Sequence, residues 1–90
     1  MPRVKFTRNL ERFFPGLSEV DVEGRTVAEI VAALDMHYTG LADYLVDEHG
    51  SLRKHVNIFV DDMLVADRKT LRDEVGEGNQ IHIIQALSGG

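Results

Sequence analysis

The residues best suited to chemistry are the last three of the chain, Ser88-Gly89-Gly90. Glycine has no Cβ, so it leaves the terminal carbonyl open to attack and takes up extended or unusual backbone angles freely. The end of this chain could therefore present its terminal carboxylate to another protein. Two glycines are also common at frayed chain ends, so what precedes them decides their meaning.

The other side chains that could do chemistry do not fall into the sequence patterns of a catalytic or metal-binding site. The chain has no cysteine, which excludes a disulfide framework, a thiolate metal site and a cysteine nucleophile. The four histidines fall on a predicted helix, a loop and two predicted strands, without the spacing of metal ligands. Asp61-Asp62 falls at a predicted turn, and no base is placed near Ser88. We therefore predict no catalytic residues of the chain's own and no metal site.

The elements that must position the tail are several short strands and one helix. Alternating polar and apolar residues, or β-branched runs, predict strands over residues 3–7, 19–23, 55–60, 63–65 and 80–85. The helix begins at the capping-box sequence Thr26-Val27-Ala28-Glu29, presents an apolar stripe as far as Tyr38, and ends before Gly40. Leu41 to Leu45 is expected to form one short extra turn.

This order of elements predicts an α+β fold in one domain. Two hairpins around one main helix give a mixed sheet with the helix packed across one face, and the first and last strands lie side by side in the middle. We expect residues 1–86 to be the folded domain and residues 87–90 to be a flexible tail. A chain of 90 residues leaves little room for a deep internal cavity, which favours a binding or carrier module over an enzyme.

Two stretches resemble the β-grasp (ubiquitin-like) sulfur carriers of the ThiS and MoaD family. Val56-Asn57-Ile58-Phe59-Val60-Asp61-Asp62 looks like the family's third-strand hairpin, and residues 77–90 look like its Gly-Gly ending. The length and the Leu52-Arg53-Lys54-His55 lead-in are most similar to the CysO branch, which carries sulfur for cysteine synthesis. Asn79 stands where the family pattern has aspartate, and Gln85-Ala86-Leu87 replaces a proline-containing segment.

The resemblance implies a specific chemistry for the tail. An adenylating enzyme of the ubiquitin-activating type would use ATP to convert the carboxylate of Gly90 into an acyl-adenylate. A sulfur donor would then displace AMP and leave a thiocarboxylate on Gly90. The resemblance thus implies that Gly90 reacts, that Gly89 provides clearance in the narrow channel of the enzyme, and that Leu87 and Ser88 form the rest of the tail. The chain would bind no cofactor itself, and it would act as a substrate of that enzyme and as a sulfur donor to a synthase. Cysteine or molybdopterin biosynthesis is the expected pathway, with thiamin and thiolated tRNA as further possibilities.

Strand alternation predicts a docking face for that enzyme. If Ile58 and Ile81 face the helix, then Phe59, His82 and Ile84 face the other side of the sheet. With Leu87, these residues are expected to form an exposed apolar patch beside the tail, which is typical of a partner site. The alternative is that Phe59 only covers the sheet or packs under a loop.

Charge and hydropathy restrict the partners. The net charge is −5 and the basic residues are scattered among acidic ones, so we expect no nucleic-acid partner. The chain has neither a signal-peptide-like run nor the roughly 20 apolar residues of a membrane span, and we expect a cytoplasmic monomer.

Two other functions remain open. The activated end could instead form an isopeptide bond with a lysine, as a ubiquitin-like modifier does. The chain could also be a β-grasp interaction module whose terminus is never activated.

Overall fold

The computed structural model describes residues 1–85 of the 90. In chain order its elements are β1 (Arg3–Phe6), α1 (Arg8–Glu11), β2 (Val20–Asp21), α2 (Val27–His37), α3 (Leu41–Leu45), β3 (Val56–Val60), β4 (Met63–Leu64) and β5 (Gln80–Gln85).

The strands form one five-stranded sheet in the order β2-β1-β5-β3-β4. β1 and β5 run parallel, while the pairs β1–β2, β3–β5 and β3–β4 are antiparallel. The last strand therefore occupies the centre of the sheet, with β1 on one side and β3 on the other. This mixed sheet confirms the predicted β-grasp architecture, including the adjacent first and last strands.

The hydrophobic core lies between one face of the sheet and the helices. Alternate residues of the three central strands point to this face, and the fully buried ones are Val4, Val56, Ile58, Ile81 and Ile83. They pack with the apolar side chains of α2 and α3: Val27, Ile30, Val31, Leu34, Leu41 and Leu45. The opposite face of the sheet carries none of these core residues.

The main helix begins as the capping-box sequence predicts. The Thr26 hydroxyl accepts a hydrogen bond from the Glu29 amide at 3.2 Å, which satisfies one of the free N–H groups of the first turn. The Glu29 carboxylate reaches back to the amide of Arg25 at 3.1 Å. Past the helix, Gly40 has φ +96°, and Asp35 accepts from the amides of Gly40 and Ala42, both at 3.0 Å. These bonds fix the turn from α2 into α3.

Several boundaries differ from the predictions. β1 and β4 each end one residue early, at Phe6 and Leu64. The short helix α1 was not predicted, because its four residues are too few to show a helical period. β2 covers Val20–Asp21 rather than residues 19–23, because β1 begins at Arg3, opposite Asp21. β3 begins at Val56 rather than at His55.

The start of β5 is tied to the β3–β4 turn. Asp61, with φ +54°, accepts from the Gln80 amide at 2.9 Å and from the Asn79 side-chain amide at 2.6 Å. The Asn79 oxygen in turn accepts from the Gly76 amide at 2.6 Å. An asparagine can donate and accept at once, which an ionised aspartate cannot do. Asn79 therefore joins two loops at the position where the family pattern has aspartate.

The segment between β4 and β5 is organised by the Asp67 carboxylate. It accepts from the Thr70 hydroxyl and from the amides of Thr70, Lys69 and Arg72, at 2.9, 3.1 and 3.2 Å for the three amides. The Thr70 hydroxyl, then the Thr70 amide, are the main reasons that the pKa of Asp67 falls from 3.8 to about 2. Leu71 follows in the left-handed region at φ +54°, so the carboxylate stabilises a turn that an L-residue rarely adopts.

Candidate functional site

The candidate site begins where the central strand ends. Gln85 is the last residue of β5, and the predicted tail residues Leu87, Ser88, Gly89 and Gly90 lie outside the described residues. Five residues separate Gln85 from the chain end in the sequence, which at about 3.3–3.6 Å per residue allows a reach of roughly 17 Å. The boundary predicted between residues 86 and 87 also lies beyond the described part.

Gln85 is held by side chains from two other parts of the chain. Its backbone amide donates to the Thr7 hydroxyl at 3.3 Å, and its side-chain amide donates to the Tyr44 hydroxyl at 3.0 Å. Thr7 lies between β1 and α1, and Tyr44 lies in α3. Sequence reasoning did not identify either residue.

An aromatic cluster surrounds Tyr44. The ring centroid of Phe13 lies 5.0 Å from that of Tyr44, and Phe14 approaches edge-on at 5.9 Å. Such contacts orient a ring beyond what burial alone achieves. Phe13 remains 58% exposed, so an apolar ring lies at the surface close to the point where the chain leaves the sheet.

The predicted docking residues share the face of the sheet opposite the core. Phe59 lies directly across from His82, and Asn57 lies across from Ile84. Residues two apart on neighbouring strands are diagonal neighbours, so Phe59 and Ile84 flank the same patch. Phe59 and Ile84 are half-buried, whereas His82 is exposed.

Leu64 extends this patch and was missed in the sequence. It pairs with Phe59 from β4 and is 50% exposed. The alternation of Met63-Leu64-Val65 after the tight turn was the available signal, because it places Leu64 on the face of Phe59. We define the docking face as Phe59, Leu64, His82 and Ile84.

The other half of the open face is charged. Arg3 pairs with Asp21 at 3.1 Å and with Glu19 at 3.6 Å, and Lys5 lies 3.9 Å from Glu19. The hydrogen bond from Arg3 is the main reason that the pKa of Asp21 lies below its usual value. These groups are solvent-exposed, so each pair contributes little to stability. The open face is therefore apolar on the β3–β4 side and ionic on the β1–β2 side.

Arg68 binds the part of the β3 edge that does not pair with β4. Its guanidinium donates to the carbonyls of Arg53 and Val56 at 2.8 and 3.0 Å, and to the side chain of Asn57 at 2.8 Å. These bonds satisfy the carbonyl of Val56 at the strand edge and fix Asn57 beside Ile84.

Neither metal-binding nor membrane-spanning features were found in the described residues. Among residues 1–85, no three histidine or carboxylate side chains are arranged to share a metal ion. No helix in this part of the chain has the length and apolarity needed to cross a bilayer.

An open groove between the start of α2 and the loop before β5 is lined partly by Glu23, Glu29, Glu74 and Glu77. It lies at the opposite end of β5 from Gln85.

Comparison with known proteins identifies the family. The model of the ThiS family matches residues 4–90, nearly the whole chain. The chain belongs to the ThiS family. A ThiS-family relative, the sulfur carrier protein CysO of Mycobacterium tuberculosis, is 30% identical over 77 residues and 83% of each chain.

Solved structures agree with this assignment. CysO from Amycolatopsis orientalis, crystallised in complex with BexX, covers 100% of both chains with a TM-score of 0.86 and 28% identity. Mycobacterium tuberculosis CysO covers 97% of this chain and all of its own, with a TM-score of 0.83 and 26% identity. These matches confirm the β-grasp fold and the resemblance to the CysO branch. The Mycobacterium relatives are named sulfur carrier proteins, which agrees with the prediction of a carrier rather than an enzyme.

Proposed function

We propose that the protein carries sulfur as a thiocarboxylate on Gly90, formed by a partner enzyme that consumes ATP. The observation that carries this proposal is the position of β5. In a ThiS-family chain, the strand that leads to the Gly-Gly end lies at the centre of the sheet and ends at Gln85.

The proposed chemistry has two steps. An oxygen of the Gly90 carboxylate attacks the α-phosphorus of ATP, forming an acyl-adenylate and releasing pyrophosphate. A sulfur nucleophile, such as hydrosulfide, then attacks the acyl carbon and releases AMP. The net change on the protein is the replacement of one carboxylate oxygen by sulfur. The enzyme supplies the catalytic groups, and this chain supplies the electrophilic carbon.

The arrangement of the described residues supports such a substrate. A central strand is hydrogen-bonded on both sides, so the point from which the tail departs is firmly held. The docking face lies on the same strand, through His82 and Ile84, and continues onto β3 and β4. An enzyme that binds this face can therefore take up the tail in the same encounter. We propose that the docking face binds the adenylating enzyme.

The expected acceptor is a synthase that takes sulfur for cysteine synthesis. This proposal follows from the likeness to CysO proteins, at 30% identity in sequence and a TM-score of 0.86 in structure. Molybdopterin synthesis is the second candidate pathway. In either pathway the sulfur of the thiocarboxylate, rather than any side chain of the folded domain, would form the new bond to an electrophilic carbon of the acceptor. Hydrolysis of the acyl–sulfur bond would then leave the sulfur on the acceptor and return the Gly90 carboxylate.

Substitution of Gly90 tests the activation step. Gly90→Val places a branched side chain beside the reacting carbonyl and is expected to abolish ATP–pyrophosphate exchange with the adenylating enzyme. Gly90→Ala, which adds only a methyl group, is the matched control and should retain measurable exchange. Because both changes lie beyond β5, both variants should melt at the wild-type temperature. Full exchange by Gly90→Val would contradict the steric argument that the reacting end must be a glycine.

The modifier alternative predicts a different product. If the activated end is transferred to lysines, cell extracts supplied with ATP will show ladders of higher mass that contain this chain. If it carries sulfur, the free chain will instead gain the mass difference between sulfur and oxygen.

A further inference from the structure

We infer that Thr7 and Tyr44 are positioning residues that clamp Gln85 and so set where the reactive tail leaves the domain. This inference rests on the proposed function, because it concerns how the tail is presented to the adenylating enzyme. Both residues are proposed to act through Gln85 and not on the reacting carboxylate itself.

Thr7 extends the β1–β5 ladder past the end of β1. Its amide donates to the carbonyl of Ile83 at 3.2 Å, as a strand residue would. Its carbonyl, however, accepts from Leu10 at 3.2 Å at the start of α1, so it has turned away from β5. The Thr7 hydroxyl takes over and accepts from the Gln85 amide at 3.3 Å. This hydroxyl makes no capping bond to α1, although Thr7 occupies the capping position.

Tyr44 holds the side chain of the same residue from the helical side. Gln85 follows Ile81 and Ile83 at alternate positions of β5, so its side chain points to the core face. There the side-chain amide of Gln85 donates to the Tyr44 hydroxyl at 3.0 Å. The rings of Phe13 and Phe14 in turn orient the Tyr44 ring. The backbone and the side chain of Gln85 are thus anchored to two different elements.

The clamp depends on features that the family pattern does not imply. Gln85 lies in the segment that replaces the pattern's proline-containing stretch. A proline has no amide hydrogen and no side-chain donor, so it could make neither of the two bonds. The anchoring is therefore a property of this chain's own residues.

The two hydrogen bonds to Gln85 are expected to raise the fraction of carrier molecules whose tail starts from one fixed position and is ready for the enzyme. When only a fraction of molecules is competent to bind, the apparent affinity falls by that fraction. Loss of both hydrogen bonds allows Gln85 to detach. The enzyme can then bind only those molecules in which Gln85 is still in its anchored position. The expected consequence is a KM for the carrier roughly two- to fivefold higher with kcat unchanged, the pattern for binding lost equally in ground and transition states.

The test uses isosteric variants with matched controls. Thr7→Val and Tyr44→Phe each remove one hydroxyl and keep the shape, whereas Thr7→Ser keeps the accepting oxygen. Thr39→Val and Tyr38→Phe make the same chemical changes at an exposed threonine and at a tyrosine whose hydroxyl is not hydrogen-bonded within residues 1–85. The readouts are amide hydrogen exchange of the full-length chain and adenylation kinetics with varied carrier concentration.

The clamp predicts that Thr7→Val speeds exchange at the Gln85 amide about fivefold, as expected for one net hydrogen bond. The Ile58 amide should be unchanged, since the opening is local. The double variant should show the higher KM, and Thr7→Ser and both controls should behave as wild type. Wild-type exchange at Gln85 in the double variant would overturn the clamp itself. Faster exchange without a change in KM would overturn its positioning role.

The two proposals fail in distinguishable ways. If the wild-type chain is never adenylated, the proposed function is wrong and the positioning role falls with it. If the wild type is adenylated and the double variant has the wild-type KM, only the positioning role is wrong.

Discussion

Deleting Ser88 tests whether the tail works by its length. The deletion leaves four residues after Gln85 in place of five, which shortens the maximal reach from roughly 17 Å to roughly 14 Å. A reacting group must come within about 3–3.5 Å of its partner, and a misplacement of about 1 Å can cost about 100-fold in rate. We therefore expect kcat/KM for adenylation to fall at least about 100-fold.

The assay is ATP–pyrophosphate exchange with the adenylating enzyme, at several concentrations of the carrier. Ser88→Ala is the matched control, because it removes the hydroxyl but keeps the length, and it should exchange as the wild type does. The melting temperature should stay unchanged in both variants, since the change lies beyond β5. Near-normal exchange by the deletion variant would refute the length argument, and loss of exchange by Ser88→Ala would show that Ser88 is more than a spacer.

Three further predictions concern the folded domain. Leu64→Ser should raise the KM for the carrier about fivefold, as expected for the loss of about 1 kcal/mol of apolar contact, while Met36→Ser, 87% exposed on α2, should have no effect in the same kinetic assay. Asp67→Asn should destabilise the chain at neutral pH in urea titrations. The pKa of Asp67 is lowered to about 2 from 3.8, so its stabilisation is complete above about pH 5 and most of it is lost as the pH falls to 2, where the gap between variant and wild type should have narrowed. Asp62→Asn, at an exposed carboxylate, is the control for that titration, and a gap as wide at pH 2 as at pH 7 would contradict the reasoning. Ile83→Ala should cost about 2–5 kcal/mol of the roughly 5–13 kcal/mol expected for a domain of this size, measured by urea unfolding, and a loss below 1 kcal/mol would argue against its place in the core.

Local patterns were sufficient to predict the scaffold. The residues of β5 coincide with the predicted strand, and the capping box correctly placed the start of α2. Strand alternation also placed Phe59, His82 and Ile84 on one face, because the period of two has no exceptions within β3 and β5. These features depend on residues that are close together in the sequence, and a local sequence pattern is therefore enough to predict them.

The contacts at the root of the tail could not be read in the same way. Gln85 bonds to Thr7 across 78 positions and to Tyr44 across 41, and no local period reports such pairs. The hydroxyl of Thr7 bonds to β5 and makes no capping bond to α1. This bond can form only when β1 and β5 lie side by side. Long-range hydrogen bonds of this kind follow from the assembled fold.

The most direct test of the sulfur-carrier account is the intact mass of the protein after activation. The purified chain is incubated with its adenylating enzyme, ATP and hydrosulfide, alongside a variant that lacks Gly89 and Gly90. The account predicts a mass increase in the wild type equal to the replacement of one oxygen by sulfur, located at Gly90 by fragmentation, and no change in the variant. An unchanged wild-type mass under conditions that consume ATP, or sulfur found at any other residue, would contradict it.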